Sequence, residues 1–229
     1  GFFGSYVDIE GIYKTEYDLI RRYREMALHP EVDGAIEDIV NEAIVSDTND
    51  SPVQIDLDNL NASDGLKKKI REEFKGILEL LDFDKKCHEI YRNWYVDGRL
   101  YYHKVIDLKN PQEGIQELRY IDALKMRFVR QAAKKGNDNS IALSRDLEKD
   151  PTDSGFPEIT EYFVYNQNTQ NPVGSLAKGS GQVTQGIKFA KDSITYCTSG
   201  LVDRNKNITL SYLHKAIKSI NQLRMIEDS

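Results

Sequence analysis

Residues 91–107, YRNWYVDGRLYYHKVID, constrain the fold more tightly than any other stretch of the chain. Cys87, Ile90, Tyr91 and Trp94 recur at steps of three and four, the spacing of one helix face. Asp97-Gly98 ends that helix, because glycine adopts the left-handed conformation just past a helix end without a Cβ clash. From Arg99 the period falls to two, with Leu100, Tyr102, Lys104 and Ile106 on one side and Tyr101, His103 and Val105 on the other. Large groups on both sides predict an interior strand covered on both faces. The single tryptophan, Trp94, stands one turn before the switch. Trp94, Tyr91 and Tyr102 are therefore expected to anchor the core, where truncating a buried tryptophan costs roughly 3–5 kcal/mol.

The rest of the chain supplies helices and strands to pack around that corner. Thr15 and Asp18 make a weak capping box before Leu19, Ile20 and Tyr23. His29-Pro30 breaks this helix, and Pro30 opens the next, where its missing N–H is no loss. Val32, Ala35, Ile36, Ile39, Val40, Ala43 and Ile44 give that second helix a continuous apolar stripe. Val53, Ile55 and Leu57 alternate with polar residues and predict a half-buried strand. Ser63 caps a helix with apolar positions Leu66, Ile70, Phe74, Ile77, Leu78 and Leu81 and a basic outer face of Lys67, Lys68, Lys69 and Arg71. Strands are expected over 116–120, at Met126 to Val129, over 159–165, at Ile187 with Phe189, and at Ile194 to Thr198. Residues 133–157 and 166–185 are polar, hold most of the later Gly and Pro, and predict long loops. A last helix is expected over 209–228. The pattern predicts an α+β domain, with helices packed on a mainly antiparallel sheet.

A chain of 229 residues can bury a core without covalent staples. Cys87 and Cys197 are too few for a disulfide framework or a four-thiolate metal site, and both are expected to be reduced and buried, which fits a cytosolic origin. No apolar run reaches the length of a membrane span, and no charged-then-apolar leader is expected. The net charge of −6 conceals an asymmetry. Residues 1–60 carry 14 acids and 4 bases, whereas residues 119–135 carry six bases and one acid. The balance excludes a generally basic, nonspecific nucleic-acid binder. It predicts electrostatic pairing between the acidic first part and basic faces further on, within one copy or between copies.

Motifs for chemistry fail on spacing. Residues 174–180, GSLAKGS, place Lys178 before the second glycine, so no lysine reaches a phosphate held by the loop. Asp203, Asn205 and Asn207 open like a calcium loop, but Ile208 replaces the glycine and His214 the bidentate glutamate. His29, His88, His103 and His214 form no HExxH pair, and no serine sits in a GxSxG elbow. Asp56/Asp58 and Asp82/Asp84 are carboxylate pairs of the kind common at element ends. No catalytic, cofactor-binding or metal-binding residue is therefore assigned, and no cofactor is expected. Two rival readings remain from the residues alone: a metal-dependent nuclease, or a nucleic-acid-binding module using the basic stretch 119–135 with Tyr120 and Phe128 interleaved.

The central corner closely resembles the portal proteins of T-even-type tailed bacteriophages. That family carries W-Y-V-D-x-R, an aromatic pair, His-Lys and an apolar-Asp ending, present here as 94–99, Tyr101-Tyr102, His103-Lys104 and Val105-Ile106-Asp107. The resemblance continues through Pro111-Gln112-Glu113-Gly114-Ile115 and Glu117-Leu118-Arg119, with Asp122 after it. Upstream it covers Glu31-Val32-Asp33 and residues 39–45, and later Ser199-Gly200-Leu201-Val202-Asp203, Tyr212-Leu213-His214 and Asn221-Gln222-Leu223. It fades between residues 133 and 192. The resemblance implies a portal wing-type α+β domain: 1–50 a helical N-terminal part, 51–206 a core with long loops, and 207–229 a helix leading toward stem and clip regions. It implies a non-enzymatic structural subunit of a dodecameric ring at the unique capsid vertex. Double-stranded DNA would pass through the channel during packaging and ejection without sequence-specific binding. The implied partners are terminase, major capsid, scaffold and neck proteins, with membrane contact confined to prohead assembly. The implied location is the virion, after assembly in the host cytoplasm. Under this reading Lys67, Lys68, Lys69, Arg71, Arg127 and Arg130 are the candidate subunit contacts.

Overall fold

The computed structural model describes residues 5–7, 13–45, 52–132, 159–167, 186–204 and 208–227. A two-stranded antiparallel ladder, β1 (Ser5–Val7) with β2 (Tyr13–Thr15), leads directly into helix α1 (Glu16–Met26). Helix α2 (Pro30–Ala43) begins on Pro30, as the His29-Pro30 break predicts. The Ser63 hydroxyl accepts from the Leu66 N–H at 3.4 Å and caps α3 (Asp64–Leu80). Asp82, left-handed at φ 49°, separates α3 from α4 (Phe83–Asp97). Gly98, at φ 71°, closes α4 by donating its N–H to the Trp94 carbonyl at 2.9 Å. Any side chain here would also collide with its surroundings, since a Cβ on Gly98 would lie 2.6 Å from the Leu210 carbonyl oxygen.

Strand β3 (Arg99–Ile106) starts at once and is the middle of a three-stranded antiparallel sheet, between β4 (Ile115–Ile121) and β8 (Ile194–Thr198). The second sheet runs β5 (Met126–Ala132), β6 (Ile159–Tyr165), β7 (Ile187–Ala190), also antiparallel. A short 3-10 turn (Tyr212–Ala216) feeds α5 (Ile217–Glu227). The α+β class is thus as expected, with five helices and two three-stranded sheets among the described residues.

Two cores form, and α1 joins them. Leu19 and Tyr23 pack with Ile36, Val40, Val96, Ile208 and Leu213 in a helical core. Ile20, adjacent in sequence, turns into the core between the sheets with Tyr101, Ile121, Phe163 and Ile194. In that second core Tyr101 stacks on Tyr196 at 4.8 Å and meets Phe163 edge-on at 5.9 Å.

Several expectations are corrected. Residues 53–57 form no strand and belong to no sheet among the described residues; Leu57 alone of the five is buried, and turns anchored on Asp56 and Leu57 end the segment. Alternation supplied a strand-like pattern, but a strand also needs a ladder partner. The last helix starts later than residue 209, because Thr209 bridges Val202 and Ser211 binds the Leu213 N–H, which holds 209–211 extended. Cys87 is buried, but Cys197 is exposed: on β8 it alternates with Ile194 and Tyr196, which take the inner side. Strand β3 is covered at its start and opens toward its end, where Ile106 is exposed. The loop expected over 133–157, and all but the first two residues of the loop expected over 166–185, lie outside the described residues.

Candidate functional site

The corner at residues 94–99 is built around Asp97, a residue only 2% exposed. A carboxylate taken this far from water requires paired donors. Arg24, projecting from α1, supplies them: its Nε and Nη2 donate to the two Asp97 oxygens at 2.9 and 2.7 Å. The same guanidinium donates through Nη1 and Nη2 to Asp122, just past β4, at 3.3 and 2.8 Å. One planar fork therefore ties α1 to the end of α4 and to the β4–β5 turn. The hydrogen bonds to Asp97 are the chief reason that the Arg24 guanidinium holds its proton more tightly than an ordinary arginine, and Asp122 adds to it against the cost of burial. Burial pushes the Asp122 carboxyl up, but Arg24, the Leu124 N–H and Lys125 together outweigh it, so Asp122 sits below the usual aspartate range.

Arg99 forms the second half of the clamp. Its side chain, also 2% exposed, opens β3 and points inward. Nη1 donates to Glu16 Oε1 at 2.9 Å, Nη2 to the Thr209 carbonyl, and Nε weakly to the Asp97 carbonyl at 3.4 Å. Burial disfavours the charged form, yet Glu16 and the neighbouring Tyr101 and Tyr196 hydroxyls more than compensate, and the proton is held more tightly than in water. Burial likewise pushes the Tyr101 phenol well up. Asp97 thus offers its carboxylate to one arginine and its carbonyl to another.

Around this clamp the segment after β8 is stitched to α4. The Ser211 hydroxyl donates to the Tyr95 carbonyl at 3.1 Å, and Ser199 Oγ donates to the Leu210 carbonyl at 2.6 Å. Tyr95 stacks on Tyr212 at 5.1 Å, while Trp94 sits between Tyr91 at 5.5 Å and Tyr212 at 5.3 Å. Trp94 and Tyr91 are half-buried, with the Trp94 Nε1 buried and finding no hydrogen-bond partner among the described residues. Tyr102 lies on β3 against Tyr120 at 5.7 Å, in a separate group.

The basic candidates lie on two elements. Lys67, Lys68, Lys69 and Arg71 fall in the first half of α3; Lys67 is half-buried and the other three exposed, with Lys68 loosely paired to Glu72 at 3.9 Å. Arg127 on β5 is half-buried, and burial lowers its affinity for a proton against the pull of Glu16 and Asp18 of the same chain. Arg130 pairs with Glu161 in the β5–β6 register, and its side chain lies outside the described residues. Arg119 of the basic stretch is bound to Glu117 at 2.8 and 3.1 Å.

The histidines take packing or pairing roles. Tyr23 Oη and His214 Nδ1 lie 2.7 Å apart, His103 packs on Phe189 at 4.9 Å, and His88 Nε2 lies 3.2 Å from Asn41 Oδ1. His29, Glu31 and Glu227 converge closely enough to suggest a cation site. Glu227 meets Nε2 at 3.0 Å and Glu31 lies 2.8 Å from Nδ1, so the two carboxylates address different ring nitrogens. That is the geometry of a histidine wedged between two acids rather than of three ligands on one ion. The Glu31 oxygen lies off the hydrogen-bond direction of Nδ1.

The clamp itself was not deduced from the sequence. Its signal was nevertheless present: Arg24 falls four residues after Ile20, inside the apolar stripe of α1, where a charge must be answered from within the fold.

Residues 16–229 match the family model described as "Bacteriophage T4-like portal protein (Gp20)". The portal protein of Vibrio phage KVP40 is 35% identical over 214 residues, 93% of this chain and 39% of that protein. The portal protein of Salmonella phage ViI is 29% identical over 233 residues, 98% of this chain and 39% of that protein. The chain therefore spans well under half the length of these curated relatives.

Proposed function

The chain belongs to the bacteriophage T4-like portal protein family, and from that premise we propose that it is a structural sector of the portal ring at the unique capsid vertex. In this reading copies join head to tail into a closed ring of twelve, a contact that uses two different faces of one subunit. Double-stranded DNA passes through the channel during packaging and ejection without sequence-specific contact. Terminase docks on the ring and neck proteins replace it, while major capsid and scaffold proteins adjoin it during assembly in the host cytoplasm. The finished ring is part of the virion. The chain acts through shape and contact, and not as an enzyme.

The observation that carries this reading, beyond family membership, is the use made of the charged motif residues. Asp97 and Arg99 lie in the stretch that most resembles the family, and both are turned inward to bind secondary-structure elements together. They serve rigidity rather than a substrate. Arg127, beside Glu16 and Asp18 of its own chain, favours a subunit contact centred on the Lys67 to Arg71 face of α3 over one centred on β5. Electron microscopy of the protein at its native length tests the proposal. Twelve-fold rings are expected; a monomer, or cleavage of DNA in Mg²⁺ or Mn²⁺, overturns it.

A further inference from the structure

Helix α5 is held differently at its two ends. At its root Tyr23 Oη and His214 Nδ1 lie 2.7 Å apart, and Ile217 and Ile220 are buried in the helical core. Beyond Ile220 no described residue of α5 is buried. An open groove of about 360 Å³ lies there, with Ile220 and Leu223 on one wall and Val32, Ile36 and Ile39 of α2 on the other. His29, at the corner between α1 and α2, meets the exposed last turn: its Nε2 lies 3.0 Å from Glu227. Glu31, which lines the groove, lies 2.8 Å from the other ring nitrogen.

The backbone fixes where that ring points. His29 precedes a proline and is extended, at φ −71° and ψ 130°. Its N–H donates to the Met26 carbonyl at 3.1 Å, and its carbonyl accepts from the Asp33 N–H at 2.8 Å. The side chain is 13% exposed, so solvent screens its charge only weakly. Charged groups on the flanking turns are engaged elsewhere: Arg24 by Asp97 and Asp122, Glu25 by Arg21, Asp33 by Arg92. Arg224, one turn before Glu227 on α5, keeps its charge throughout. As imidazolium, His29 donates from Nε2 to Glu227 and attracts Glu31 through charge alone, since Glu31 lies off the Nδ1 hydrogen-bond direction. As neutral imidazole it keeps one N–H, and its other nitrogen turns a lone pair toward a carboxylate.

We infer that His29 is a pH-operated latch that seats the last turn of α5 on the α1–α2 corner. Seating favours the charged ring, so the latch is closed at the lower pH and opens as the pH rises and the proton leaves, within the range of about pH 5–8 where histidine changes charge. On opening, the end of α5 is released while its root stays in the core, and the groove beside α2 widens. The latch belongs to the single subunit and stands apart from the ring reading.

Hydrogen exchange of the protein at native length, followed at about pH 6 and about pH 8 and corrected for the intrinsic rate, tests it. Protection of the amides at 224–227 is expected to fall about threefold from the lower pH to the higher, the scale of one partly exposed ion pair. Helix α4 should keep its protection, because Asp122 titrates below this window and Arg24 above it. His29→Gln, His29→Arg and Glu227→Gln should each remove the step, the arginine variant holding the closed level at both pH values. Equal protection at both pH values in the unaltered protein overturns the inference. So does a step that survives in any of the three variants, which would put the switch at His214 or elsewhere. A fall shared by α4 reports loosening of the whole core and overturns it as well. Should a glutamine variant lose α4 protection outright, His29→Arg decides alone: a step like that of the unaltered protein refutes the latch, and its absence supports it.

Discussion

The Asp97 corner and helix α3 treat charge in opposite ways. At the corner Arg99 is taken out of water and answered by the Glu16 carboxylate and the Thr209 carbonyl, and the half-buried Arg24 is answered by two carboxylates, all from elements distant in sequence. Along α3 every base but the half-buried Lys67 remains in solvent, and two intrahelical pairs, Lys68–Glu72 and Lys75–Glu79, sit at 3.9 and 3.8 Å with both partners largely exposed. Exposed pairs of this kind contribute roughly 0–1 kcal/mol. A buried charge has no such freedom, because deleting its partner leaves it stranded in a medium that solvates it poorly. The corner therefore fixes the shape of the subunit, and α3 retains charges that folding does not require.

That contrast can be broken by mutation. The largest effect is expected at Arg99→Ala, which strands the Thr209 carbonyl and one oxygen of Glu16; urea denaturation should show a loss of about 3–5 kcal/mol. A loss below about 1 kcal/mol would mean that the corner is no tighter than the surface. Gly98→Ala comes next, at about 1–3 kcal/mol, because it combines a left-handed backbone with a Cβ forced against the Leu210 carbonyl. The pH dependence of stability sharpens the comparison. Asp122 has a folded pKa below its unfolded value near 3.8, so its contribution is fully present above that value and is lost as pH falls through the lower, folded one. Asp122→Asn should flatten the stability profile in that acid window and leave it unchanged near neutrality in slope. The smallest effect belongs to α3: Lys68→Glu should shift stability by no more than about 0.5 kcal/mol. A large destabilisation there would show that α3's bases are structural after all.

Much of the fold was legible because local chemistry and long-range packing agreed. Pro30, Ser63 and Gly98 mark their boundaries through fixed φ, side-chain capping and left-handed backbone, none of which needs a distant partner. The alternation after Arg99 predicted a central strand, and β3 pairs on both sides. Where the outcome depended on a partner, the reading failed. Residues 53–57 alternate like a strand without a ladder, and Thr209 and Ser211 are held extended by contacts to Val202, Arg99 and Tyr95. Cys197 depended on which side of β8 turned inward. The clamp was hidden for the same reason: Arg24 lies 73 residues from Asp97 and 98 from Asp122. The basic face of α3 could be read directly, since an unburied face needs no tertiary information. The open groove between α2 and the last helix could not, because its walls, Val32, Ile36 and Ile39 against Tyr212, Ile220 and Leu223, come from opposite ends of the chain.

Asp82 gives the molecule a pivot. It is the only non-glycine residue with positive φ among those described, and it stands between a helix bolted to its neighbours and one that rests on them lightly. Any swing of α3 as a lever would thus turn on a single joint, leaving the frame behind it still. Amide exchange should record this as faster opening in α3 than in α4, widened further by Asp82→Gly.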